Sequence, residues 1–233
     1  MSGLLSNERE NMKIYAANTA LLKTKTEEEL LVMLDKERRE KVKKLKRQSD
    51  KDRAICAGIL LRYSFLQAGY TQKDWQEIRV QYGSYGKPIL ENYPNFHYSL
   101  SHSGDWVVCA TDTVSVGVDI QEMKEWKDWV AKRFYHRVEY ERLCMIEDEE
   151  EKKKQFYAMW AAKESYVKLT GRGIGEGIEQ YVTEDIYQQI KDEAGEWLAD
   201  IKIYETIPDY IVCVCTREKA KAKQLEIVEE IQE

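Results

Sequence analysis

The sequence predicts an α+β fold made of two similar halves, each with a small antiparallel sheet and a long helix. Short β-type runs and helical stripes follow one another in the order strand, helices, strands, helices, strands. Each half carries one long helical pattern, marked by Ile55, Ile59, Leu60 and Phe65 in the first and by Gln155 to Leu169 in the second. A junction near Thr113 to Val116 divides the chain into residues 1–113 and 114–233.

Met12 to Asn18 reads as a first short strand. Thr26 followed by Glu29 is a capping box, and it opens a helix carrying Leu30, Leu31, Met33 and Leu34. A basic segment follows, and Ser49 to Asp52 looks like the next helix start, with Gly69 as its C-terminal stop. Ile78 to Tyr82 alternates, and Tyr82 to Pro88 has turn chemistry. Phe96 to Leu100, Trp106 to Ala110 and Val114 to Ile120 are β-type runs. A helical region is expected from Trp126 to Met145. The acidic run Glu147 to Glu151 reads as a loop or a helix start. The helix over Gln155 to Leu169 ends at Thr170 to Gly173. Strands near Trp197 to Tyr204 and Tyr210 to Cys215 precede a tail expected to be helical.

Composition narrows the function classes. Of 233 residues, 43% are hydrophobic and 33% charged, with 3 Pro and 12 Gly, as in an ordinary soluble domain. No run approaches a membrane span, and Met1 to Glu10 lacks the apolar core of a signal peptide, so a cytoplasmic location is expected. The five cysteines, Cys56, Cys109, Cys144, Cys213 and Cys215, are expected to be buried reduced thiols. His97, His102 and His136 have no zinc-type spacing with them. A net charge of −6 argues against a nucleic-acid binder. Lys36 to Arg53 nonetheless holds ten Lys/Arg against four Asp/Glu, which suits a small polyanion, an acidic partner or simply a solvated helix face.

Three segments carry chemistry. Strand alternation projects Asp119 and Gln121 to one side, where two oxygen donors suit a hard cation; an Asp at a strand end is also a common turn residue. Glu164 and Lys168 share a helix face at i and i+4, either as a surface ion pair or as a site beside the glycines Gly171, Gly173 and Gly175. Phe96 to Gly104 contains Ser101, His102 and Ser103. Neighbouring strand residues point to opposite faces, so Ser101 and His102 do not make a nucleophile–base pair. Phosphate binding suits the segment better, with an ordinary polar turn as the alternative.

Taken in order, Lys87-Pro88, Ser101 to Gly104, Gly117 to Ile120, and Trp160 with Lys163, Glu164 and Lys168 resemble the 4′-phosphopantetheinyl transferase superfamily. Chain length and the early basic segment resemble its larger, surfactin-synthetase type, and the resemblance runs from about Met12 to Val214. It implies a pseudo-twofold pair of halves in one chain and a monomer. It also implies transfer of phosphopantetheine from coenzyme A to a serine of an acyl or peptidyl carrier protein, releasing 3′,5′-ADP.

The resemblance assigns Mg²⁺ to Asp119, Gln121 and Glu164, with Gln121 replacing an acid found in many members. It makes Glu164 the base and Lys168 a phosphate-steadying charge. It carries the coenzyme A 3′-phosphate and adenine site onto Arg38, Lys41, Arg53, Lys87, Ser101 and His102, with help from Gly86. The carrier is expected at Gly171 to Gln189, aided by Lys163, Lys168 and Arg172. On this reading residues 1–113 form the coenzyme A side, and 114–233 the metal and carrier side. A phosphotransferase of another kind lacks a P-loop or kinase-type glycine loop here. A non-catalytic coenzyme A or carrier-protein binding module would fit Gln121 but would not need both Asp119 and Glu164.

Overall fold

Two long helices and the sheets beneath them set the architecture. The computed structural model describes residues 12–83, 85–173, 177–184, 188–218 and 224–231. The first half contains β1 (Lys13–Asn18), a 3₁₀ turn, α1 (Glu27–Val32), α2 (Lys36–Lys43) and the long α3 (Gln48–Gln67). It continues with α4 (Gln72–Gln76), β2 (Val80–Tyr82), β3 (Pro88–Leu90), β4 (His97–Ser103) and β5 (Trp106–Asp112). The second half holds β6 (Val116–Glu122), α5 (Asp128–Phe134), α6 (Arg137–Cys144) and the long α7 (Glu149–Thr170). Then come β7 (Val182–Glu184), β8 (Gln189–Lys191), β9 (Trp197–Tyr204) and β10 (Tyr210–Thr216), and last β11 (Leu225–Ile227).

The halves repeat one topology. One sheet runs β11-β1-β5-β4 and the other β6-β10-β9-β8-β7, so the orders β1-β5-β4 and β6-β10-β9 correspond. All these core pairings are antiparallel, and the long helix falls between the first and second strand of each trio.

Strand alternation sorts the core into layers. Tyr15, Ala17, Val107 and Cys109 pack under α3 residues such as Ile55, Ile59 and Phe65. The opposite faces, with Ile14, Ala16, Val108 and Ala110, meet Val116, Val118, Ile120, Val212 and Val214 of the second sheet. Ile211, Cys213 and Cys215 then face Ala158, Ala161 and Ala162 of α7. Covered sheets explain why these strands read as apolar runs. Each fully buried Val, Ile or Leu contributes about 1.5–3 kcal/mol.

Local signals set the helix ends. The Thr26–Glu29 capping box forms, with Thr26 N donating to Glu29 Oε2 at 2.7 Å. The acidic run starts α7: Asp148 caps Glu151 N at 2.7 Å, and Glu149 to Glu151 fill the positive first turn. Gly171, at φ 75°, ends it.

The expected helical region 126–145 is present as two helices, broken where Tyr135 and His136 take extended conformations and His136 caps α6. Two expectations are corrected. The tail is not helical where described: Leu225–Ile227 pairs in parallel with β1, while residues 219–223 and 232–233 lie outside the described residues. Four thiols are buried and free, but Cys144 is exposed at the end of α6. No helix among the described residues is long and apolar enough to cross a membrane.

Candidate active site

The site begins with Gly117. The inward-facing Val116, Val118 and Ile120 leave Gly117, Asp119 and Gln121 on the α7 side of β6. A Cβ at Gly117 would lie 1.9 Å from the Ser165 carbonyl oxygen, so only glycine lets α7 approach this closely. One residue pair further along, Asp119 meets Lys168, with Nζ 2.6 Å from Oδ1.

A serine from the other half completes the cluster. Ser101 Oγ donates to Asp119 Oδ1 at 2.7 Å, and Lys168 Nζ donates to Ser101 Oγ at 2.7 Å. Gln121 Nε2 donates to Asp119 Oδ2 at 2.7 Å, so both carboxylate oxygens are engaged. Asp119 is only 2% exposed. Glu164 lies beside this cluster, one turn before Lys168. Burial, and next the negative charge of Asp119, push its carboxyl up to about 7 against an opposing pull from Lys168.

Ser101 belongs to a seam. Its neighbours Ser99 and Ser103 accept from Val118 N and Glu122 N of β6, each at 3.0 Å. The three hydroxyls of β4 therefore reach β6 on one face. The alternating serines were visible in the sequence, but as phosphate-binding candidates. His102 points the other way and is exposed, as strand alternation requires.

A cleft of about 420 Å³ opens between the halves. Arg38 and Ala57 of α2 and α3 form one side, the turn Tyr85 to Pro88 another, and Val167, Lys168 and Gly171 the third; Ser101 and His102 line it from β4. Arg38 Nε is buried without a hydrogen-bond partner and stands 3.7 Å from Asp35 Oδ2. Arg53, which is not among the cleft-lining side chains, pairs with Asp50, and its Nη1 donates to Gly104 O at 3.3 Å. Although one side of His102 meets solvent, partial desolvation where it lines the cleft, then the charges of Arg53 and Lys168, hold it below its usual value.

Other expected residues sit differently. Lys41 lies over the Tyr82 ring, 5.6 Å from its centroid, and is not among the cleft-lining side chains. Lys87 lines the cleft, but its Nζ donates to Ser115 Oγ, Val116 O and Leu169 O, each at 3.1 Å. Burial lowers its ammonium to about 8. Lys163 is fully buried, 2.8 Å from Glu139 Oε2, and donates to the carbonyls of Ile178 and Tyr181. It cannot contact a docked carrier, which corrects that expectation. Parts of the expected docking stretch, residues 174–176 with Gly175 and residues 185–187, lie outside the described residues.

The donor set suits one divalent cation of the Mg²⁺ kind. Such an ion is commonly held by one or two carboxylates plus substrate phosphates, and Asp119 and Glu164 supply two hard, mutually repelling carboxylates. Among the described residues no group of three or more His, Cys, Asp or Glu gathers as a complete protein cage.

Comparison with known proteins matches the chain in two consecutive parts. The profile described as "4′-phosphopantetheinyl transferase, N-terminal" matches residues 23–114, and that of the "4′-phosphopantetheinyl transferase superfamily" matches residues 115–215. The chain is 32% identical over 208 residues to 4′-phosphopantetheinyl transferase Sfp of Bacillus subtilis, covering 88% of this chain and 92% of that one. It is 33% identical over 224 residues to 4′-phosphopantetheinyl transferase psf-1 of Bacillus pumilus, covering 93% and 95%. A solved holo-[acyl-carrier-protein] synthase of Thermotoga maritima overlaps 46% of this chain and 65% of its own, at TM-score 0.35 and 17% identity. With buried acidic and basic partners meeting at a cleft between two halves, and with both halves matched, this chain belongs to the 4′-phosphopantetheinyl transferase superfamily.

Proposed function

We propose that the protein transfers 4′-phosphopantetheine from coenzyme A to a serine of an acyl or peptidyl carrier protein. The observation that carries this is the joining of Asp119, Ser101 and Lys168 at the wall of the inter-half cleft, with Glu164 alongside. In the reaction the carrier serine Oγ bonds to the β-phosphorus of coenzyme A. The pyrophosphate P–O bond breaks, and 3′,5′-ADP leaves with the electron pair. Glu164, a carboxylate beside Asp119 and one turn before Lys168, takes the serine proton.

Lys168 sits where its ammonium can turn from Asp119 toward a phosphate oxygen in the cleft. Asp119 and Glu164 would hold Mg²⁺, with Gln121 in its outer surroundings. When bound, that ion would neutralise charge developing on the phosphate oxygens. Arg38, with its unsatisfied Nε, would take the 3′-phosphate together with Arg53 and His102. Tyr85 to Lys87 would meet the adenine.

This makes residues 1–113 the nucleotide side and 114–233 the metal and carrier side. The sheets already bury one another within one chain, which favours a monomer. The buried free thiols favour a reducing, cytoplasmic setting. The test is intact-mass spectrometry of an apo carrier protein incubated with this protein, coenzyme A and Mg²⁺. A phosphopantetheine mass gain that needs all three is expected. An unchanged carrier mass across acyl and peptidyl carriers overturns the reading.

A further inference from the structure

Ser99, Ser101 and Ser103 stand at i, i+2 and i+4 on β4 and face the edge of β6 that is not paired to β10. The outer two make the same bond: each hydroxyl accepts one main-chain N–H of β6 at 3.0 Å. Those bonds join the halves through main-chain N–H groups. The middle hydroxyl is different. It donates to Asp119 and accepts from Lys168, both at 2.7 Å, and Ser101 is only 7% exposed.

We propose that Ser101 is a positioning residue of the transfer reaction, its hydroxyl fixing Asp119 and Lys168 of the other half relative to each other. The inference rests on the phosphopantetheinyl transfer reading. A serine is suited to the place because one neutral hydroxyl both donates and accepts. Asp119 Oδ1 receives two donors, Ser101 and Lys168. When a phosphate draws the Lys168 ammonium into the cleft, Ser101 still satisfies that oxygen. The carboxylate then keeps its orientation although its cationic partner has moved. The hydroxyl is spent on these two groups, so it is not the donor that reads the 3′-phosphate. The first half thereby takes part in the chemistry of the second through one side chain.

The experiment measures kcat and KM with coenzyme A and with 3′-dephospho-coenzyme A for Ser101→Ala, Ser101→Thr and Ser103→Ala. Thermal melting is measured alongside. Ser101→Ala is expected to lose roughly 10- to 100-fold in kcat with either donor, as a misplaced charge pair should. Its KM should change less than about threefold, and the hydroxyl of Ser101→Thr should restore part of kcat. Ser103→Ala should melt lower by a similar amount yet keep kcat, since its hydroxyl serves the seam alone. Near-normal kcat in Ser101→Ala overturns the proposal. So does a defect confined to KM for coenzyme A and absent with the dephospho donor, which would make Ser101 a 3′-phosphate ligand. Equal kcat losses in Ser101→Ala and Ser103→Ala overturn it too, by reducing Ser101 to a seam residue. A wild-type protein that transfers nothing overturns the functional reading itself, and is distinguishable from a wild type that transfers while Ser101→Ala does so equally well.

Discussion

Gly117 lies so close beneath Ser165 that an added Cβ would stand 1.9 Å from the Ser165 carbonyl oxygen and 2.6 Å from Leu169 N. Both obstacles are backbone, so no side-chain rotation relieves the contact. Gly117→Ala must push α7 away from β6, and Asp119 and Lys168 straddle that contact. The cost should be at least the about 1–3 kcal/mol of an overpacked core. The transfer rate should fall further than the stability loss explains, because a shift on the order of 1 Å can cost about 100-fold. Denaturant unfolding and transfer kinetics on the same sample check both. A variant with wild-type midpoint and rate would show that α7 tolerates the displacement.

Lys163 and Glu139 form a buried pair with every partner in place. Glu139 also accepts from His136 N at 2.9 Å and from Thr183 N and Oγ1 at 2.8 and 2.7 Å. One ion pair thus ties α7, α6, β7 and the segment 178–181 together. Lys163→Met should cost about 3–5 kcal/mol because it strands a buried carboxylate. Adding Glu139→Gln removes that charge while leaving an amide oxygen for Thr183. The double variant should therefore lose much less than the two single losses summed. Chemical denaturation of all four proteins gives the cycle, and plain additivity would dissolve the pair.

Much of this was legible because it is local. The capping box at Thr26, the helix stop at Gly171 and the spacing of Glu164 and Lys168 are written within a few residues. The alternation that separates Asp119 from Ile120 is equally local. What escaped the sequence is set by approach between distant elements. The basic segment reads as one charged stripe, yet Arg38 turns into the cleft while Lys41 packs over Tyr82 of β2. Lys163 sits beside Glu164 in sequence, but the helix turns it onto α6, where Glu139 was indistinguishable from a surface acid. Lys87 reads as a phosphate lysine, yet its reach ends on three oxygens across the junction of the halves. The tail looked helical because nothing within it announces that β1 has an open edge for Leu225–Ile227.

Glu164 should destabilise the metal-free protein at neutral pH. Its folded value is raised from 4.5 to about 7, so between these values the folded state binds more protons than the unfolded one. The favourable contribution is complete below pH 4.5 and is lost as pH rises through about 7. In EDTA, Glu164→Gln should gain stability relative to wild type across that window, by at most about 3 kcal/mol. The same variant should transfer about 100- to 10,000-fold more slowly. Mg²⁺ should raise the wild-type melting temperature and erase the advantage of the variant. A stability difference that does not vary with pH would remove the strained carboxyl from the account.

Arg38→Ala and Arg53→Ala should weaken coenzyme A more than 3′-dephospho-coenzyme A. Charge-assisted hydrogen bonds are worth about 1.5–3 kcal/mol, so each should cut that preference roughly tenfold or more. Lys87→Met should behave otherwise. Its ammonium holds Ser115, Val116 and Leu169, so the two donors should be affected alike. Calorimetric titration with both donors separates the cases. A loss of preference confined to Lys87→Met would exchange their roles.

Gln121 should set how strongly the proposed metal site attracts a cation. Its amide Nε2 donates to Asp119 Oδ2, so it quiets one carboxylate oxygen without adding charge. Mg²⁺ keeps several waters readily, and a water held by this amide can occupy the place of a second acid. Gln121→Glu replaces a donor with another carboxylate facing Asp119. The metal-free variant should melt lower, because Asp119 loses a hydrogen bond and gains a like charge. Mg²⁺ should then raise its melting temperature more than it raises the wild type's, and half-maximal transfer should need less Mg²⁺. Gln121→Ala should shift that requirement only modestly, while Asp119→Ala should abolish most transfer. Melting curves and rates across a Mg²⁺ series at saturating coenzyme A test all three. If Gln121→Ala proves as damaging as Asp119→Ala, the amide is an essential ligand or orienting group rather than an outer contact.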